Sequence, residues 1–237
     1  MIELMIADDN VQFAEHLHYM LTKEKDFKVI NVSNNGLETI MYYNSLHPNI
    51  LLLDLDMPGI DGLSVIEKLS DDKKNIIIMS GSSENRSRIR DTHRVEWIFE
   101  KPFNYSKLVE VIKDIDKSQK SEKFEFILDK ILKKLLFDSL SKGTIFLKTA
   151  ILIAYTTPKD FIEIDEIMKE VAFRYEIKNY KSLRSTIDKC IASTFIKHEK
   201  LDVFYEIFPE FDGYKPSIKQ FIEGVLDYFN ISMYNIY

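Results

Sequence analysis

Two short runs do most to limit how this chain can fold. Ile50–Leu53 and Ile76–Met79 each set four apolar residues at consecutive positions and then stop on a polar one, Asp54 and Ser80. A strand with water on one face alternates apolar and polar residues. A run without alternation belongs to a strand covered on both faces, the situation in a parallel sheet wrapped by helices. Comparable runs at Ile2–Ala7, Phe27–Val32 and Trp97–Phe99 are separated by stretches with helical spacing, which makes five strand-then-helix units up to Ile115. The expected fold is a doubly wound α/β domain around a five-stranded parallel sheet. Its last helix is expected to start at Asn104, after Pro102, and to turn Leu108, Val109, Val111, Ile112 and Ile115 toward the sheet.

Apolar residues then stop for eight positions, Asp116–Lys123. That break divides the chain into a first domain at 1–117, a linker at 118–123 and a second domain at 124–237. Beyond it the β-branched runs disappear and helical spacing takes over, as in Ile164, Ile167, Met168, Val171 and Tyr175, so the second domain reads as all-α. The single cysteine, Cys190, excludes an internal disulfide and fits a reducing compartment. No apolar run approaches the ~20 residues that span a bilayer, and the first strand runs straight into Asp8 and Asp9 instead of a cleavage site. A cytoplasmic protein without a membrane partner is expected.

In an open parallel sheet the carboxyl ends of the strands share one rim, where chemistry collects. Here Asp8 and Asp9 follow the first strand, Asp54 ends the third, Ser80 ends the fourth, and Lys101 follows the fifth immediately before Pro102. Three gathered carboxylates repel one another unless a hard divalent cation sits among them, and Mg²⁺ prefers such oxygen ligands. One carboxylate facing a cation, a hydroxyl and an ammonium has the parts needed to accept a phosphoryl group, with Asp54 as the nucleophile. Ser80 and the side-chain-free Gly81 suit a phosphate oxygen. Taken singly these residues are bland: Asp8 and Asp9 fit a helix cap and Lys101 a solvated surface lysine. Their joint placement on one rim is what points to a site.

In that order, Asp8–Asp9, DLDMPGIDG at Asp54–Gly62, MSG at Met79–Gly81 and KPF at Lys101–Phe103 resemble the receiver domain of two-component response regulators, a flavodoxin-like fold, over about the first 117 residues. The resemblance implies that Asp54 is phosphorylated by a histidine kinase or phosphotransfer protein. It implies that Asp9, Asp54 and the main-chain carbonyl of Asp56 hold Mg²⁺ with Asp8 assisting, that Ser80 and Lys101 bind phosphoryl oxygens, and that Lys101–Pro102 is a cis peptide. Such a domain is not an enzyme, beyond releasing its own phosphoryl group. One departure stands out. Receivers usually carry an aromatic residue three positions before the lysine; here it is Ile98, with Trp97 and Phe99 on the opposite face of the strand.

The formal net charge of −6 argues at first against a nucleic-acid partner. Residues 1–123, however, hold 16 basic and 21 acidic residues, a net of −5, and residues 124–237 hold 16 and 17, a net of −1. Within Arg174–Lys200 seven basic residues face three acidic ones, for +4. This segment reads as the end of one helix, a short connection at Glu176–Lys181 and a second helix from about Ser182, the arrangement of a helix-turn-helix. With Leu183, Ile187 and Ile191 facing inward, Lys178, Lys181 and Lys189 suit phosphates, and Arg184 and Ser185 suit base edges. Asp188 on the same arc opposes DNA.

SKGTIFLKTAILIAY (Ser141–Tyr155), VAFRYEIKNYKSLRSTIDKCIA (Val171–Ala192), FYEIF (Phe204–Phe208) and YKPSIKQFIEGVLD (Tyr214–Asp227) resemble the DNA-binding domain of the sporulation stage-zero master regulators. That resemblance implies a phosphorylation-activated transcription factor that binds double-stranded DNA as a homodimer in a sporulation-type phosphorelay. The stretch LRSTIDKCI keeps one arginine where the family has more, so a changed or relaxed DNA target is expected. The alternative is a helical protein-interaction or dimerisation module that modulates a phosphorelay or a sister regulator without specific DNA binding.

Overall fold

In a computed structural model of the chain, residues 1–70, 75–81, 89, 93–158, 163–198, 202–209 and 214–234 are described. The chain divides into two compact units, Met1–Gln119 and Lys120–Tyr237.

The first unit is built on β1 (Ile2–Ala7), β2 (Phe27–Ser33), β3 (Ile50–Asp54), β4 (Ile76–Ser80) and β5 (Val95–Glu100), all parallel in the order β2-β1-β3-β4-β5. The helices α1 (Val11–Leu21), α2 (Gly36–Leu46) and α3 (Gly62–Lys68) start where Asn10, Asn35 and Asp61 each accept, through the side chain, the N–H of the residue three positions on. Asn104 does the same for Lys107 at the start of α4 (Tyr105–Lys134), as the sequence predicts.

The unbroken apolar runs are explained by where alternate residues go. Leu4, Ile6, Ile50, Leu52, Ile77 and Met79 enter one core with Ala14 and Leu17 of α1 and Leu108 and Ile112 of α4. Met5, Ala7, Leu51, Leu53, Ile76 and Ile78 enter a second core with Tyr43 of α2 and Val65 and Ile66 of α3. A leucine, isoleucine or methionine among them contributes roughly 1.5–3 kcal/mol when fully buried. The doubly wound fold is therefore the observed one. Because β1 lies between β2 and β3, the connections leaving β1 and β3 diverge, and the crevice between their carboxyl ends is the natural site of this topology.

The second unit is helical: the end of α4, then α5 (Lys142–Thr156), α6 (Ile164–Arg174), α7 (Tyr180–His198), α8 (Asp202–Ile207) and α9 (Ile218–Tyr234). Its core contains Phe124, whose ring stacks on Tyr155 at 3.9 Å and meets Phe229 edge-on at 4.7 Å. Leu183, Ile187 and Ile191 of α7 are buried, as their spacing predicts. Helix α5 crosses α7 closely at Gly143, where an added Cβ would lie 2.5 Å from that of Cys190. The connection between α6 and α7 is 175–179, and α7 starts two residues before the expected Ser182, so Lys181 lies in its first turn. The apolar gap at 116–123 is helical and belongs to α4, and the boundary between the two units falls within it.

Candidate functional site

The rim residues converge in the crevice between β1 and β3. Asp8 is fully buried and Asp54 is 4% exposed, while Asp9 faces solvent. One carboxylate oxygen from each lies within 4.8 Å of the others. Two strands hold them: Asp8 and Asp9 follow β1, and Asp54 ends β3. The N–H of Asn10 donates to Asp8 Oδ1 at 3.0 Å, and the N–H of Asp56 donates to Asp54 Oδ2 at 3.1 Å. Behind Asp54, a Cβ at Gly62 would sit 2.5 Å from the Asp54 carbonyl oxygen, so the turn into α3 needs a glycine there.

Lys101 reaches across from the end of β5. Its Nζ donates to Asp8 Oδ2 at 2.6 Å and to Asp54 Oδ1 at 2.8 Å, and it lies 4.6 Å from the centre of the Phe13 ring. Burial raises the Asp54 pKa above the usual carboxylate range, an effect that the bond and charge of Lys101 oppose. For Lys101 burial disfavours the ammonium, but its bonds to Asp54 and Asp8 outweigh burial and raise its pKa. The Lys101–Pro102 peptide is cis. Ser80 is buried at the end of β4, where its carbonyl accepts the Lys101 N–H at 2.9 Å, and among the described residues no atom lies within 4 Å of where a Cβ of Gly81 would be.

Two of the three carboxylates, Asp8 and Asp54, share the Lys101 ammonium, and Asp9 stands beside them. Their all-oxygen donor set suits a hard cation that keeps several waters, and a partly buried carboxylate beside an ammonium is equipped to attack an electrophilic phosphorus. Two neighbours escaped the sequence reading. Asn10 was visible as a cap type after the acidic pair. Phe13 had no local signal, because only the approach of α1 to the end of β5 sets its ring against Lys101.

The residues assigned to DNA lie on another part of the chain. Lys178 is in the connection before α7, and Lys181, Arg184, Ser185 and Lys189 are exposed on α7. Arg184 Nη1 is 2.6 Å from Asp165 Oδ1 of α6, Arg174 Nε is 2.9 Å from Glu170 Oε1, and Asp188 is paired with Lys215. The acid that opposed DNA is thus neutralised, and so are two of the cations that favoured it.

Comparison with known proteins bears on the first unit. The profile of the response regulator receiver domain matches residues 4–113. The sensory transduction protein LytT of Oceanobacillus iheyensis is 36% identical over 87 residues, 35% of this chain and 35% of that protein. A protein-glutamate methylesterase/protein-glutamine glutaminase of Lawsonia intracellularis is 29% identical over 82 residues, 35% of this chain and 23% of that protein. The chain therefore spans about a third or less of these curated relatives. Among solved structures, the REC domain of AraT, a response regulator from Geobacillus stearothermophilus, is 24% identical, with a TM-score of 0.44 over 52% of this chain and 98% of that one. Among the described residues no helix is long and apolar enough to cross a membrane. With the profile match running from β1 into α4, across all of the rim residues, the N-terminal half of the chain is a response regulator receiver domain.

Proposed function

We propose that Asp54 accepts a phosphoryl group from a histidine kinase or phosphotransfer protein and that this controls the helical half of the chain. The observation that carries the reading is the convergence of Asp8, Asp9 and Asp54 with Lys101. An Asp54 carboxylate oxygen attacks phosphorus; the new P–O bond forms as the bond to the donor nitrogen breaks, and the donor imidazole leaves with the electron pair. Asp9, Asp54 and the Asp56 carbonyl would hold Mg²⁺, with Asp8 assisting, and the cation supplies positive charge beside the transferring oxygens. Lys101 contributes its ammonium to the same oxygens, and Ser80, with Gly81 leaving room, donates a hydroxyl. Incubation with Mg²⁺ and a small phosphoryl donor such as acetyl phosphate is expected to add one phosphoryl group by intact mass, and Asp54→Asn is expected to abolish the gain. Unchanged labelling of Asp54→Asn would sink the assignment.

The output we propose is sequence-specific binding to double-stranded DNA by a phosphorylation-favoured homodimer, in a cytoplasmic transcription factor of the sporulation-regulator type. Support comes from the basic, exposed start of α7 after a short connection, with Lys178, Lys181 and Lys189 toward phosphates and Arg184 and Ser185 toward bases. DNA selection with the phosphorylated protein tests this, and a selected pool without a motif would count against it. The ion pairs of Arg174 and Arg184 favour a second reading, in which the helical half binds protein. Salt-insensitive capture of a partner regulator together with absent DNA affinity would favour that reading.

A further inference from the structure

An unbroken series of ring contacts begins at the ammonium of Lys101 and ends at the surface of the receiver. Lys101 Nζ lies over the Phe13 ring at 4.6 Å. Phe13 of α1 meets Phe103 edge-on, with centroids 6.0 Å apart and planes at 88°. Phe103, which follows the Lys101–Pro102 peptide, is 5.1 Å from Phe99 of β5, and Phe99 is 6.3 Å from Trp97. Trp97 is 45% exposed, and Lys107 Nζ lies 5.9 Å from its ring centre. Ile98, at the position where receivers usually carry the aromatic residue, packs into the opposite core. Trp97 and Phe99 are therefore on the other face, in contact with each other and linked to the site through Phe103 and Phe13.

We propose that this ring series is the route by which occupancy of the acidic pocket reaches the surface, with Trp97 as the residue whose surroundings change. The inference rests on the reading of the pocket as a Mg²⁺ and phosphoryl site. Lys101 now divides its donors between Asp8 and Asp54. Phosphoryl oxygens arriving at Asp54 claim those donors, and the ammonium moves relative to the face of Phe13 that attracts it. Phe13 and Phe103 are stiff plates in an edge-to-face contact, and in a close-packed interior a shifted plate displaces its neighbour. Phe99 is buried between Phe103 and Trp97, so the displacement ends at the one ring of the series that meets solvent freely. The site then biases two arrangements of the rings, and a partner touching Trp97 distinguishes them.

Trp97 is the only tryptophan, so its emission reports this position in the full-length chain. Wild-type protein is titrated with Mg²⁺ and beryllium fluoride, a phosphoryl mimic, with binding followed in parallel by calorimetry. The expected result is a saturable shift in Trp97 emission that follows the binding heat. Phe103→Leu, at a half-buried position outside the pocket, is expected to retain the binding heat and lose the emission shift; Phe13→Leu is expected to lose the shift as well. An emission shift that survives both substitutions, or binding heat in the wild type without any shift, overturns the proposal. Absence of binding heat overturns the reading of the pocket itself, and this inference with it.

Discussion

The chemistry of the receiver rests on a few charges that are hard to keep together. Asp54 is partly desolvated, and its raised pKa means that the folded state holds the proton more tightly than the unfolded chain does. Its ionised form therefore subtracts from stability once the pH rises above the usual carboxylate range, and the subtraction is complete above the folded pKa. Asp54→Asn is expected to raise the melting temperature of the metal-free protein at neutral pH, with the gain shrinking as the pH falls into the carboxylate range; melting curves in chelator across that window check this. A cation bound only by the folded pocket acts in the same direction. At a hundredfold excess over its dissociation constant Mg²⁺ is expected to add about 2.7 kcal/mol. Asp9→Asn, which removes the exposed member of the donor set, is expected to lose most of that increment in a Mg²⁺ titration followed by thermal melting.

Single elements show where packing leaves no slack. Gly143 lies in the first turn of α5, with the Cys190 side chain of α7 where its own Cβ would be. Gly143→Ala is expected to cost roughly 1–3 kcal/mol by overpacking, read as a lower urea midpoint. This outcome runs against the helix propensity of the two residues, which favours alanine. Phe124, fully buried between Tyr155 and Phe229, represents the opposite failure. Phe124→Ala is expected to cost about 3–5 kcal/mol because the neighbouring rings cannot collapse into the space. Helix α4 shows that an element does not need apolar residues throughout: its stretch at 116–123 is polar, yet lysine, glutamine and glutamate are good helix formers.

At the scale of the whole molecule, the charge of −6 is unevenly distributed along the chain. Residues 1–123 carry −5, and residues 124–237 carry −1 with a local +4 at Arg174–Lys200. Two arginines of that segment are already paired, which leaves its lysines for the phosphate contacts that the proposed DNA binding requires. If the helical half binds DNA, affinity is expected to drop steeply with salt. Lys178→Ala and Lys181→Ala are each expected to flatten the slope of log affinity against log salt by about one. Arg184→Ala is expected to change the preferred sequence more than the slope. Binding isotherms at several salt concentrations separate these effects.

Much of the receiver was legible in the order of its residues, for a physical reason. Burial on both faces forbids polar residues inside a strand, so ILLL and IIIM announce parallel strands, and parallel strands deliver Asp8, Asp54 and Lys101 to one rim whatever the helices do. The five strands, the capping of α4 by Asn104 and the meeting of the three carboxylates follow from local pattern plus that one topological rule. Helix α7 starts at Tyr180, two residues before the expected Ser182, a difference hidden from a local reading because Tyr180 and Lys181 carry no pattern that separates a turn from a first helical turn. Contacts between residues distant in sequence followed no local pattern: Phe13 against Lys101, Arg184 against Asp165, Asp188 against Lys215. Spacing along a chain specifies which face a side chain occupies, but its partner across the gap is set by the approach of two elements, and only the tertiary structure decides that approach.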